Sequence, residues 1–102
     1  MLDKKISFIK RTGIINDYLV ICDHSSNKIP PKYNNLCISK KIINSHRAFD
    51  IGASEVASEL SNLLECNLVM ANFSRLLIDP NRGDDDPTLI PKISEGEIIK
   101  GN

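Results

Sequence analysis

The 102-residue chain has no tryptophan, no surplus of either charge sign and no long hydrophobic run. Lys and Arg number 13, as do Asp and Glu, so the formal net charge is zero. A balanced surface gives no electrostatic case for nucleic acid or an anionic membrane, both of which favour a basic face. No segment approaches the ~18 consecutive apolar residues of a membrane span. Met1-Leu2-Asp3-Lys4-Lys5 leads into no signal-peptide core, and a cytoplasmic location is expected. The cysteines are few: Cys22, Cys37 and Cys66 form an odd set without a C-x-x-C pair. That excludes a disulfide framework and a cysteine zinc knuckle. They read as reduced thiols, with Cys22 and Cys66 serving as small buried hydrophobes. The H-E-x-x-H helix, the glycine-rich phosphate loop and the G-x-S-x-G elbow are all missing.

The length suits one domain at most. Its strongest local signal is Tyr18-Leu19-Val20-Ile21-Cys22, an apolar run with the length of a buried strand, which breaks into Asp23-His24-Ser25-Ser26-Asn27. Upstream, Ile6 to Ile15 suggests an edge strand or hairpin. Downstream, Asn27 to Pro31 is an extended loop that Tyr33-Asn34-Asn35 prolongs, because the two prolines forbid regular pairing. Ser39 to Ser45 suggests a short helix capped by Ser39. Ala53, Val56, Ala57, Leu60, Leu63 and Leu64 then recur at three- and four-residue intervals, which predicts an amphipathic helix with Asp50 as its N-terminal cap. Asn67 to Ala71 predicts a second buried strand and Ser74 to Ile78 a third, followed by the turn Asp79-Pro80-Asn81-Arg82-Gly83. After Thr88-Leu89-Ile90-Pro91 no closing element is recognisable. The order is that of an α/β fold, with a partial mixed or parallel sheet and a crossover helix. One good helix is too little to cover both faces of such a sheet. Residues 1–102 are therefore expected to be a single incomplete domain, the front part of a larger one.

Ligands of open α/β sheets sit at the carboxyl ends of strands, which makes His24 a candidate metal ligand or base; the alternative is a turn histidine on the surface. A crossover helix begins over that same edge, so Asp50 can converge on His24 although it stands 26 positions further along the sequence. An imidazole and a carboxylate are part of a catalytic zinc shell, although Asp50 could equally be a plain helix cap. Arg75, Asp79, Asn81 and Arg82 form a second group. An arginine fork pairs bidentately with carboxylates, so Asn81-Arg82 could hold an acidic substrate with Asp79 orienting the arginine, or the turn could be a solvated Asp-Arg pair. Asp84-Asp85-Asp86 reads as a solvated loop, since adjacent aspartates lack the alternation of a calcium loop.

Taken together, CDHSSNKIPPKY from Cys22, HRAFDIGASEVASEL from His46, FSRLLIDPNRGDDDPTLIPKISEG from Phe73 and the final Gly101-Asn102 resemble the N-formylglutamate amidohydrolase family. The resemblance implies the front half of a zinc-carboxypeptidase-like (phosphorylase/hydrolase-like) α/β domain related to aspartoacylase. It implies zinc as cofactor and hydrolysis of N-formyl-L-glutamate to L-glutamate and formate, with a small-molecule N-acyl acidic amino acid as ligand. His24 and Asp50 match the metal ligands, the latter because Asn27 stands where relatives place a glutamate. Arg75 matches the arginine that stabilises the oxyanion, and Asn81 and Arg82 match the pair that grips the substrate carboxylate. His46 would line the pocket or touch the loop after His24. The family's third zinc ligand and its general base, a histidine and a glutamate, have no match here. The fragment alone is therefore expected to be inactive. Hydrolysis of another N-acyl amino acid or peptide, or acidic-ligand binding without catalysis, are the alternatives.

Overall fold

The computed structural model describes residues 2–102. Strands β1 (Leu2–Lys4) and β2 (Phe8–Arg11) form an antiparallel hairpin, of which only β2, an inner strand, falls within the Ile6 to Ile15 segment expected to hold an edge strand or hairpin. Strand β3 (Ile15–Cys22) and strand β4 (Cys66–Ala71) are parallel, and the sheet order is β1-β2-β4-β3. A parallel pair needs a crossover, and helix α2 (Ala53–Leu64) supplies it. The architecture is mixed α/β, and the four-stranded sheet has one parallel pair and two antiparallel ones.

Register decides which residues meet the helix. Val20 lies opposite Leu68 and Cys22 opposite Met70, and this face packs on Ala57 of α2 with Ile9. Arg11 ties β2 to the helix by donating to the Ser58 carbonyl and the Ser61 hydroxyl. Side chains alternate across a strand, so Leu19 and Ile21 point to the other face. There Ile21 is 63% exposed. β3 is thus an edge strand covered on one side, where the sequence suggested full burial. The helix departs from expectation in the same way. Ala57 and Ser61 are its buried residues, while Val56 and Leu63 stand 68% and 74% exposed. The apolar stripe is wider than the single sheet face it rests on.

Two local expectations are corrected. Ser74 to Ile78 is a turn, closed by the Leu77 N–H on the Ser74 carbonyl, and not a third strand. Ser74 and Leu76 are buried as a strand pattern would have them, but the Ser74 hydroxyl and the Arg75 N–H both bond the Ala48 carbonyl, which anchors the segment to a loop rather than a neighbouring strand. Asp50 is not the cap of α2. Gly52 is, in a left-handed conformation (φ 88°) that glycine adopts without penalty, and the carboxylate of Asp50 is turned elsewhere. The cap on the short helix α1 (Lys40–Ile43) does hold, with the Ser39 hydroxyl accepting from the Ile42 N–H. The proline loop expected to stay extended winds into a 3-10 segment, Pro31–Cys37, with Asn34, Asn35 and Leu36 at positive φ.

A second core lies beneath these loops. Leu36, Ala48, Leu76 and Ile99 are buried together, with Ile29, Ile38, Ile42, Phe49 and Leu77 against them. The tail belongs to this core and closes with a small hairpin, β5 (Ile93–Ser94) and β6 (Glu97–Ile98). The last two residues are pinned. Gly101 donates to the Leu36 carbonyl at 2.8 Å, so close that a Cβ would lie 2.5 Å from the Leu36 Cα. The Asn102 amide donates to the carbonyls of Leu76 (2.6 Å) and Pro91 (2.7 Å).

Candidate active site

His24 emerges in the turn directly after β3, at the carboxyl edge of the sheet. Asp50 reaches it by a backbone link, its N–H donating to the His24 carbonyl at 2.9 Å. That bond joins the end of β3 to the approach of α2. Arg75 and Asp79 come from the loop over the second core, held by the Arg75 N–H on the Ala48 carbonyl and the Asp79 N–H on the Leu89 carbonyl.

These four side chains interlock around one imidazole. His24 Nε2 lies 2.7 Å from Asp79 Oδ1, and Nδ1 lies 3.1 Å from Arg75 Nη1 and 3.4 Å from Asp50 Oδ2. Guanidinium can only donate, and a carboxylate can only accept. The Asp79 acceptor places a proton on Nε2, and the nearer of the two Nδ1 partners, the Arg75 donor, faces the Nδ1 lone pair. Asp79 also accepts from the Asn81 N–H at 3.0 Å and pairs with Arg82 Nε at 3.6 Å. Burial pushes the Asp79 carboxyl up, but the hydrogen bonds from His24 and the Asn81 N–H, together with the charge of Arg82, more than offset it and hold the group below its ordinary value. Burial first, and then the charge of Asp50, push the neighbouring Cys22 thiol up, which favours its neutral form.

Arg75 is almost fully engaged. Its Nε donates to the Arg47 carbonyl (3.0 Å), Nη1 to Asp50 Oδ1 (3.0 Å) and Nη2 to the His46 carbonyl. This fixes the guanidinium between the histidine and the turn before α2, with donor capacity on Nη2 to spare.

His24, Arg47, Arg75, Asp79, Asn81 and Arg82 line a cleft of about 280 Å³, with Thr88, Ser94 and Glu95 among the other walls. The cleft thus combines a histidine poised between two carboxylates with three arginines. Of the residues singled out from the sequence, His24, Arg75, Asn81 and Arg82 share this cleft, and Asp50 joins them through His24 and Arg75. His46 stands at the rim, largely exposed, with Nε2 2.5 Å from Glu95 Oε2. Three participants were not legible. Asp79 looked like a partner for Arg82 alone, and its contact with His24 spans 55 positions. Arg47 and Glu95 lie within the stretches that resemble the family, but nothing in their local pattern assigned either of them a role.

As for a metal, His24 Nδ1 and Asp50 Oδ2 are close enough to approach one cation, and Asp79 occupies the other ring nitrogen. A carboxylate there is the usual outer partner of a metal-ligating histidine. No group of three or more His, Cys, Asp or Glu able to hold a metal is found among the described residues. A catalytic zinc takes three protein ligands, so the donor set fits part of such a shell.

A histidine at the carboxyl end of a parallel strand, flanked by carboxylates and arginines in an α/β scaffold, defines a polar centre at the sheet edge where ligands of such folds bind. The chain belongs to the N-formylglutamate amidohydrolase family, whose model matches residues 16–102. Among solved structures it is similar to the gene product Atu2144 from Agrobacterium tumefaciens, at 37% sequence identity and a TM-score of 0.86. The match covers 93% of this chain and 38% of that one, so the chain spans well under half of that protein's length. Comparison with curated proteins gave no match.

Proposed function

We propose that the chain supplies the metal-binding and substrate-anchoring part of a zinc-dependent hydrolase that converts N-formyl-L-glutamate to L-glutamate and formate. The observation that carries this reading is the convergence of His24, Asp50 and Asp79 beside Arg75, Asn81 and Arg82 in a chain of this family. His24 through Nδ1 and Asp50 through Oδ2 would hold the zinc. Zinc bound there would act as a Lewis acid toward the formyl carbonyl and lower the pKa of water to about 7. Asp79 keeps the His24 proton on Nε2 and the ring oriented. Arg75 directs its spare N–H at the charge that develops on the carbonyl oxygen, a contribution often worth ~3 kcal/mol. Asn81 and Arg82 anchor a substrate carboxylate. The remaining zinc ligand and the proton acceptor would come from outside these residues. The exposed sheet face at Leu19 and Ile21 and the exposed stripe on α2 support placement in a larger zinc-carboxypeptidase-like α/β domain.

Zinc content and turnover of formyl-, acetyl- and succinyl-glutamate by a full-length protein test the proposal. The formyl substrate is expected to lead, and His24→Ala and Asp50→Asn to lose both zinc and turnover. Residues 1–102 alone are expected to bind zinc weakly and turn over nothing. Zinc-dependent turnover by them, or full activity in His24→Ala, would refute the assignment.

A further inference from the structure

One guanidinium in the cleft has no work in the mechanism above. Arg47 lies in the turn before α2, and its Nε is buried without a hydrogen-bond partner. Its nearest acid is Glu95, whose Oε2 is 4.0 Å away, beyond hydrogen-bond reach. Buried donors almost always have an acceptor, and an orphan in the wall of a cleft marks where one can bind. Arg47 is also separate from the cation already assigned. Arg82 pairs with Asp79 (3.6 Å) and Asp86 (4.0 Å), whereas Arg47 faces Glu95. The cleft therefore offers two distinct cationic points.

Glu95 arrives at its point through an unfavourable turn. It and Gly96 are the two residues between β5 and β6, with φ of 45° and 82°. Asn, Asp and Gly suit such a turn, and glutamate does not. An outlier of this kind is a pointer to function. Here it sets a carboxylate 2.5 Å from His46 and beside Arg47. The hydrogen bond from His46, and after it the charges of His46, Arg47 and Arg75, hold that carboxyl below its ordinary value.

We propose that Arg47 is a second carboxylate-binding residue of the cleft, selecting dicarboxylates over monocarboxylates, and that Glu95 holds its place with an internal carboxylate until a ligand displaces it. The proposal rests on the reading of the cleft as the site of an N-acyl acidic amino acid. One carboxylate sits on Asn81 and Arg82, and the other completes the Arg47 fork.

Glutarate and butyrate, titrated calorimetrically into the full-length protein, test this without requiring catalysis. Wild type should bind glutarate more tightly. Arg47→Ala should weaken glutarate roughly 10- to 100-fold, the loss expected of a charged hydrogen bond, and leave butyrate within about twofold. Glu95→Gln should tighten glutarate several-fold by removing the internal competitor. Glutarate binding that survives Arg47→Ala within about threefold, or an equal loss of butyrate, overturns the proposal. Should Arg47→Ala fail to fold, Glu95→Gln decides, and unchanged or weaker glutarate binding sinks it. Turnover of N-formylglutamate is followed separately. No turnover together with glutarate binding that depends on Arg47 refutes the hydrolase and leaves the subsite; turnover with glutarate binding indifferent to Arg47 does the reverse.

Discussion

Replacing Asp79 with asparagine probes the centre most directly, because it keeps the shape and removes the charge. The side chain is 11% exposed and receives His24 Nε2 at 2.7 Å, the Asn81 N–H at 3.0 Å and Arg82 Nε at 3.6 Å. Charge-assisted hydrogen bonds are about twice as strong as neutral ones, so Asp79→Asn should destabilise the fold by about 1 to 2 kcal/mol near neutral pH. The sign with pH follows from the carboxyl being held below its ordinary value of 3.8. Its ionisation stabilises the fold above the unfolded value, and that contribution is lost as pH falls through the folded one. In urea titrations the gap between wild type and Asp79→Asn should be full at about pH 7 and narrow below about pH 4. Zinc affinity, measured by chelator competition, should fall roughly 10- to 100-fold, as when the outer partner of a metal-bound histidine is lost. A gap that does not change with pH, or unaltered zinc affinity, would show that Asp79 neither carries the charge nor orients His24 as described.

Three other outcomes are expected. Gly101→Ala would place a Cβ 2.5 Å from the Leu36 Cα and 2.8 Å from its carbonyl carbon, backbone atoms with no flexible side chain to give way. A thermal melt should report a loss of about 1 to 3 kcal/mol, and an unshifted melting temperature would mean the tail is not docked on Leu36. With a thiol reagent under native conditions, exposed Cys37 should be labelled first and buried Cys66 last, with Cys22 slowed by its raised pKa; peptide mass mapping that places Cys66 first contradicts the packing of β4. Arg82→Ala in the full-length protein should raise KM for N-formylglutamate roughly 10- to 100-fold with a smaller change in kcat, and an effect on kcat alone would move Arg82 from anchoring to chemistry.

Local patterning succeeded where one periodicity had one outcome. The spacing from Ala53 to Leu64 made α2, and the apolar run ending at Cys22 made the strand that delivers His24. It failed where two structures share a pattern. Ser74 and Leu76 are buried on either side of half-buried Arg75 as in a strand, yet the segment has no strand to pair with and folds into a turn against Ala48. Asp50 has the right side chain and nearly the right position for a cap. A charged arginine 3.0 Å away and the His24 ring claim its carboxylate instead, and Gly52 turns the chain.

By itself the sequence determined the order of strand, crossover helix and parallel strand, the placement of His24 at a strand end, and through its motifs the family. Those properties are written in side-chain period and in contiguous residues. Only the tertiary structure decided that Asp79 serves His24, that Arg75 is clamped between Asp50 and two backbone carbonyls, that Arg47 has an unmet donor beside Glu95, and that the final Gly101 and Asn102 hold the second core together. Each of these joins residues tens of positions apart through loops packed on Leu36, Ala48, Leu76 and Ile99. Loops have no period to read, so their partners are fixed by where unsatisfied donors and acceptors meet in space.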